Sequence, residues 1–255
     1  MAQDYPDFLS KDQPQTLIVY GIVTNPETIA NGFERRNGQR PFELTNRYAL
    51  VSPASPGLRL SSPGWIDFSF QQMSQVTSTA DLFDLCRERI INRSSPFSKL
   101  IRLFLERYLE FVGARLEAHK SELGAGTADD EIFDYRDWIF SAWLPLPQAQ
   151  ILLPPAFGAD RPSFAEFDIA FSLPGHLIGV AIDGASTPIK SRQRKVDYLV
   201  ENHPELSLVQ VPRNRLRDEA FPIDLFPKSV ARFWQGLPMP HGPCPPDVLL
   251  ERLTP

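Results

Sequence analysis

Two short runs restrict this chain more than any other feature. AEFDIAF (Ala165 to Phe171) and LIGVAID (Leu177 to Asp183) are rich in β-branched and aromatic residues, and a turn containing Pro174-Gly175 joins them. Runs of that composition on either side of a turn pair predict a β-hairpin. A basic stretch, roughly Ser191 to Asn202, then reads as a helix, and LSLVQV (Leu206 to Val211) as a further strand. Upstream, Ser95-Pro96 predicts a helix start, with Ser as N-cap and Pro in the first turn. Phe97, Leu100, Ile101, Phe104, Leu105, Tyr108 and Val112 follow at i, i+3, i+4 spacing, an apolar stripe meant for a core. Between that helix and the hairpin, WIFSAWLPLPQAQILLP reads as a strand with an irregular, proline-interrupted edge.

The first 92 residues read differently. Thr16 to Val23, Arg47 to Ser52 and Trp65 to Gln71 are strand candidates, and Asp81 to Ile91 reads as a short amphipathic helix. The 25 prolines are spread along the chain, which favours short elements joined by rigid turns. After a last helix candidate, Leu225 to Gln235, the sequence becomes proline-rich. The expected organisation is a β-rich N-terminal region (1–92), an α/β core (93–237) and a proline-rich tail (238–255).

Composition narrows the class of function. With 42% hydrophobic and 22% charged residues, a chain of 255 residues can build a sizeable core without staples. The two cysteines, Cys86 and Cys244, have no Cys or His at ligand spacing, which argues against a disulfide framework or zinc knuckle. The N-terminal residues lack the apolar stretch of a signal peptide, and no apolar run approaches the roughly 20 residues of a membrane helix. A cytoplasmic protein without a membrane partner is the expectation. The net charge is −5, so contact with nucleic acid has to come from a local basic face. That face is offered by Lys190, Arg192, Arg194 and Lys195, followed by Arg213, Arg215 and Arg217. A solvated helix surface is the plain alternative for such a run. No nucleophile-elbow, P-loop or dinucleotide-binding fingerprint occurs, and the four histidines are scattered.

From about Ser94 to Arg217 the segments SPFSKLIRLFLERYL, AEFDIAF, LIGVAIDGASTPIKSRQRKVDYL and LSLVQVPRNRL stand in the order helix, hairpin, helix, strand. This resembles the core of the PD-(D/E)XK nuclease superfamily, and within it the branch of very-short-patch-repair-like endonucleases. The resemblance implies a restriction-endonuclease-like core of helix, mixed β-sheet and helix, carrying a β-rich N-terminal extension. It places Asp168 at the metal-binding Asp of the first hairpin strand and Asp183 at the Asp of the Asp-Gly pair closing the second. A Mg²⁺ ion held by such carboxylates polarises the phosphoryl oxygen and generates hydroxide. Glu166, two residues before Asp168, would project from the same strand face as a further ligand. Lys190 or Lys195 would stabilise the attacking water or the phosphoryl charge.

The pattern departs from the family at four places. Ala181 stands where Glu is usual, Ser98 where the first helix often has Glu, Thr187 at the loop His, and Gln210 at an Arg. These losses favour a catalytically degenerate descendant that serves as a nucleic-acid-binding (DNA or RNA) or protein-interaction module. The retained aspartates and nearby lysines favour the alternative, an active Mg²⁺-dependent DNA endonuclease, that is, a phosphodiesterase with a rearranged metal site. Asp-Gly is also a common turn pair, which is the structural reading of Asp183.

Overall fold

The computed structural model of the protein describes residues 15–21, 42–45, 47–52, 54–62, 79–94, 98–123, 139–154, 163–185, 198–217 and 220–235. Its strands are β1 (Thr16–Val19), β2 (Phe42–Leu44), β3 (Tyr48–Val51), β4 (Leu146–Leu153), β5 (Ser163–Leu173), β6 (His176–Ile182) and β7 (Leu206–Val211). Its helices are α1 (Thr79–Arg93), α2 (Lys99–Ala118), α3 (Lys120–Leu123) and α4 (Lys228–Gln235), with 3₁₀ turns at Arg213–Leu216 and Ile223–Leu225. The chain is therefore α/β. All seven strands join one mixed sheet in the order β2-β3-β1-β4-β5-β6-β7.

The pairing follows from local chemistry. β5 and β6 close through Leu173↔His176, leaving Pro174 and Gly175 as a two-residue loop. Gly175 has φ 68°, and a fixed negative φ at Pro followed by a positive φ at Gly suits a type II turn. That turn makes the pair antiparallel, as expected. β6 and β7 are parallel, with Ala181↔Gln210 and Ile182↔Val211 in register. Parallel neighbours need a crossover, and here it falls between Ile182 and Leu206. Of the expected basic helix, residues 198–202 are helical, and 186–197 lie outside the described residues.

α2 buries most of the predicted stripe, with Leu100 only partly buried. Ile101, Phe104, Leu105, Tyr108, Leu109, Val112 and Leu116 all face the core. Tyr108 meets Phe171 of β5 edge-to-face at 5.2 Å, and Phe171 meets Trp234 of α4 at 5.4 Å. These are favourable aromatic geometries in a densely packed interior. The helix begins at Lys99 rather than Pro96. Ser98 is its N-cap, and at φ −89°, ψ 62° its backbone lies outside the helical region. Ser95, Pro96 and Phe97 lie outside the described residues. The last helix also starts late. Pro227 biases Phe226 to extended backbone (φ −76°, ψ 140°), so a 3₁₀ turn at Ile223–Leu225 is broken off before α4.

The N-terminal strands are shorter than the sequence suggests, and β2 is an addition to them. β1 stops at Val19, and Gly21, two residues on, has φ 83°. The candidate at Trp65 to Gln71 and the tail from 236 onward lie outside the described residues. β1 pairs with β4 through Leu17↔Leu152 and Ile18↔Ile151, so strands on both sides of the expected boundary at residue 92 share a sheet. Residues 54–62 add a second tie. Leu58 N–H donates to Ser172 O at 2.9 Å, Leu60 N–H to Ala142 O, and Leu144 N–H to Leu58 O. Gly57 permits this approach. Its φ is 81°, and a Cβ there would come within 2.7 Å of the Trp143 ring.

Cys86 is buried on α1, and burial pushes its thiol pKa up to about 12. His203 Nδ1 lies 3.3 Å from Glu205 Oε1, and this hydrogen bond holds the Glu205 carboxyl below its usual value. No helix among the described residues is long and apolar enough to cross a membrane.

Candidate functional site

A row of polar and small residues crosses the apolar sheet near the amino end of β4 and the carboxyl ends of β6 and β7. On β4, Gln148 lies between the pairs Pro147↔Ile169 and Ala149↔Phe167, which sets it opposite Asp168. One step beyond Ile169↔Val180, Asp168 lies beside Ala181, and Ala181 is in register with Gln210 on β7. Asp183 follows directly after β6, where its N–H donates to Val211 O at 3.0 Å. Gly184, with φ 79°, completes the turn. A Cβ on Gly184 would touch Leu100 at 3.9 Å, so the turn sits against the start of α2.

Asp168 is almost wholly buried, at 2% exposure, and its Oδ2 accepts the Ile182 N–H at 2.7 Å. The registered β5–β6 ladder ends at Ile169↔Val180. The carboxylate therefore takes the place of a backbone carbonyl and carries the pairing of β6 two residues further. Such charge-assisted bonds are about twice as strong as neutral ones. Asp183 is half-buried at its turn. Glu166 does not share Asp168's surroundings: it is exposed, and Gln150 Nε2 donates to its Oε1 at 3.3 Å across β4 and β5.

Gln148 is the feature that sequence reasoning missed. It is the one non-glycine residue with positive φ (48°) among the described residues. Positive φ costs a non-glycine residue strain and persists only where the surroundings enforce it. The single hint was Pro147, a proline inside a strand, which cannot donate to the ladder. Pro147 contributes its carbonyl instead, accepting from Gly21 N–H at 2.8 Å.

The basic residues divide. Arg213, Arg215 and Arg217 lie on and just after the 3₁₀ turn that follows β7, at the same end of the sheet as Asp183. Arg215 Nη2 donates to both carboxylate oxygens of Asp224, at 2.6 and 2.7 Å. Arg213 and Arg217 are exposed. Lys190, Arg192, Arg194 and Lys195 lie outside the described residues, as does Thr187.

Magnesium asks for one or two carboxylates that also leave room for water and phosphate oxygens. Among the described residues no three His, Cys, Asp or Glu side chains gather into a metal-holding group. Of the three carboxylates, Asp168 is enclosed and bound to backbone, Glu166 faces solvent beside Gln150, and Asp183 is half-buried at its turn. What the described residues bring together is a sheet end with Arg213 and Arg217 exposed beside it. Compared with family models, curated proteins and solved structures, the chain matches none of them.

Proposed function

We propose that this chain is a non-catalytic nucleic-acid-binding protein on a restriction-endonuclease-like core. The observation that carries the reading is Asp168: its carboxylate is buried and bound to Ile182 N–H, so it serves the sheet rather than a reacting phosphate. The succession α2, β4, β5, β6, helical residues 198–202 and β7, antiparallel and then parallel, supports the core assignment. Exposed Arg213 and Arg217, together with the basic run Lys190 to Lys195 in the sequence, support phosphate contact. In a chain of net charge −5, such contact is local and strongly salt-dependent.

The test joins three measurements on the full chain. Fluorescence anisotropy with duplex DNA and single-stranded RNA reads binding. Calorimetric titration of Mg²⁺ and Mn²⁺ reads metal affinity, and plasmid cleavage reads chemistry. We expect binding without cleavage, no metal heat that Asp183→Ala abolishes, and a salt slope that falls by about 1 for each of Arg213→Glu and Arg217→Glu that meets a phosphate. Cleavage lost in Asp183→Ala would instead establish the Mg²⁺-dependent endonuclease, with a site rearranged on binding. Anisotropy indifferent to charge reversal at both arginines would end the nucleic-acid reading.

A further inference from the structure

Cations from two distant parts of the chain meet around the turn that closes β6. Leu100 of α2 lies against that turn, where a Cβ on Gly184 would stand 3.9 Å from its Cδ1. Lys99 and Arg102 flank Leu100 in the first turn of α2, which carries no acidic residue. On the other side of the turn, Asp183 N–H donates to Val211 O at 3.0 Å, and Arg213 opens a 3₁₀ turn just after Val211. That 3₁₀ turn packs against α2, and Arg217 follows it directly. Lys99 and Arg102, more than a hundred residues before Arg213 and Arg217, therefore reach the same end of the sheet.

These cations are uncommitted. Lys99, Arg213 and Arg217 are exposed, and Arg102 is half-buried. Among the described residues, none of their side chains makes a hydrogen bond or an ion pair. Their neighbours differ, for Arg215 is taken up by Asp224 and Arg107 by Glu110. Two carboxylates offset part of the charge, Asp183 in the turn itself and Glu106 one turn beyond Arg102. The excess stays positive in a chain whose net charge is −5. Like charges held together repel one another, and a polyanion laid across them relieves that cost.

We infer that the nucleic-acid face extends from the turn after β7 to the start of α2, with Lys99 and Arg102 as further contacts to the phosphate backbone. The inference rests on the nucleic-acid reading and adds to it two residues that lie outside the basic runs of the sequence. Contacts of this kind position a nucleic acid without reading its bases. Each cation that meets a phosphate releases about one counterion and so adds about 1 to the salt slope of binding.

The experiment follows the anisotropy of a labelled duplex DNA and a labelled single-stranded RNA with the full chain across a range of KCl concentrations. The probe that binds more tightly carries the test. Lys99→Gln and Arg102→Gln remove charge and keep good helix formers. Each is expected to weaken binding by about 3- to 10-fold at low salt and to lower the salt slope by about 1. Neither side chain has a partner to lose, so both thermal midpoints should match wild type. Lys120→Gln is the control. It removes the same charge at the far end of α2, roughly 30 Å away, where Lys120 pairs with Glu117, and it should leave the slope unchanged. Binding indifferent to Lys99→Gln and Arg102→Gln but weakened by Arg213→Glu and Arg217→Glu overturns the inference and leaves the nucleic-acid reading standing. Equal weakening by Lys120→Gln also overturns it, since only net charge would then count. A wild type that binds neither probe ends the reading and the inference together.

Discussion

A buried carboxylate is tolerable only if its oxygens find donors, and Asp168 finds one in the Ile182 N–H. Replacing it with alanine leaves that N–H enclosed without an acceptor, at a cost of about 1–3 kcal/mol. Asp168→Asn keeps an acceptor in the same place and should lose less than half as much. Urea denaturation of the two variants decides the matter. Equal losses would mean that the charge is what counts, and an alanine variant as stable as wild type would sink the structural role. The sequence pointed to this residue and to Asp183 through the motif order alone. Whether a carboxylate bonds to a ladder N–H or faces solvent depends on where the β5–β6 register ends, and that has no local sequence signal. The same holds for Gln148, whose positive φ has no signal in its residue type.

Elements were legible where their own residues decide them. The hairpin and β7 follow from alternating apolar runs and a Pro-Gly turn, and α2 from its stripe. Helix starts were displaced where a backbone conformation outside the helix, at Ser98 and Phe226, interrupts the turn. Within the hairpin, Gly179 is a packing residue. A Cβ there would stand 2.4 Å from two carbons of the Phe167 ring, far inside contact distance. Phe167 is 2% exposed and belongs to the packed core. Gly179→Ala should therefore cost about 1–3 kcal/mol through overpacking. Adding Phe167→Leu should return part of it, so that the double variant is more stable than the two single losses predict. Additive losses in a denaturation cycle would show that the ring is not what the new methyl meets.

At the scale of the molecule, the sheet makes the first third of the chain part of the same structure as the rest. β1 is inserted between β3 and β4, and its Leu17, Ile18 and Val19 are each at most 1% exposed. Removing it would uncover the edge of β4, with Ile151 and Leu152 facing solvent and their ladder groups open. An unprotected apolar edge of that kind recruits other chains. The ties from residues 54–62 to Ser172, Ala142 and Leu144 would go with it. None of this is visible in a linear reading, because β1 and β4 lie more than a hundred residues apart and nothing in either run specifies the other. The consequence is that residues 93–237 alone should fail to give a monomer with a cooperative urea transition, whereas the full chain should unfold in one step. Two probes, tryptophan fluorescence and far-ultraviolet dichroism, should then report coincident midpoints for the full chain. A shorter chain that stays monomeric and unfolds at the full-length midpoint would show that the core stands alone and that the N-terminal strands only decorate it.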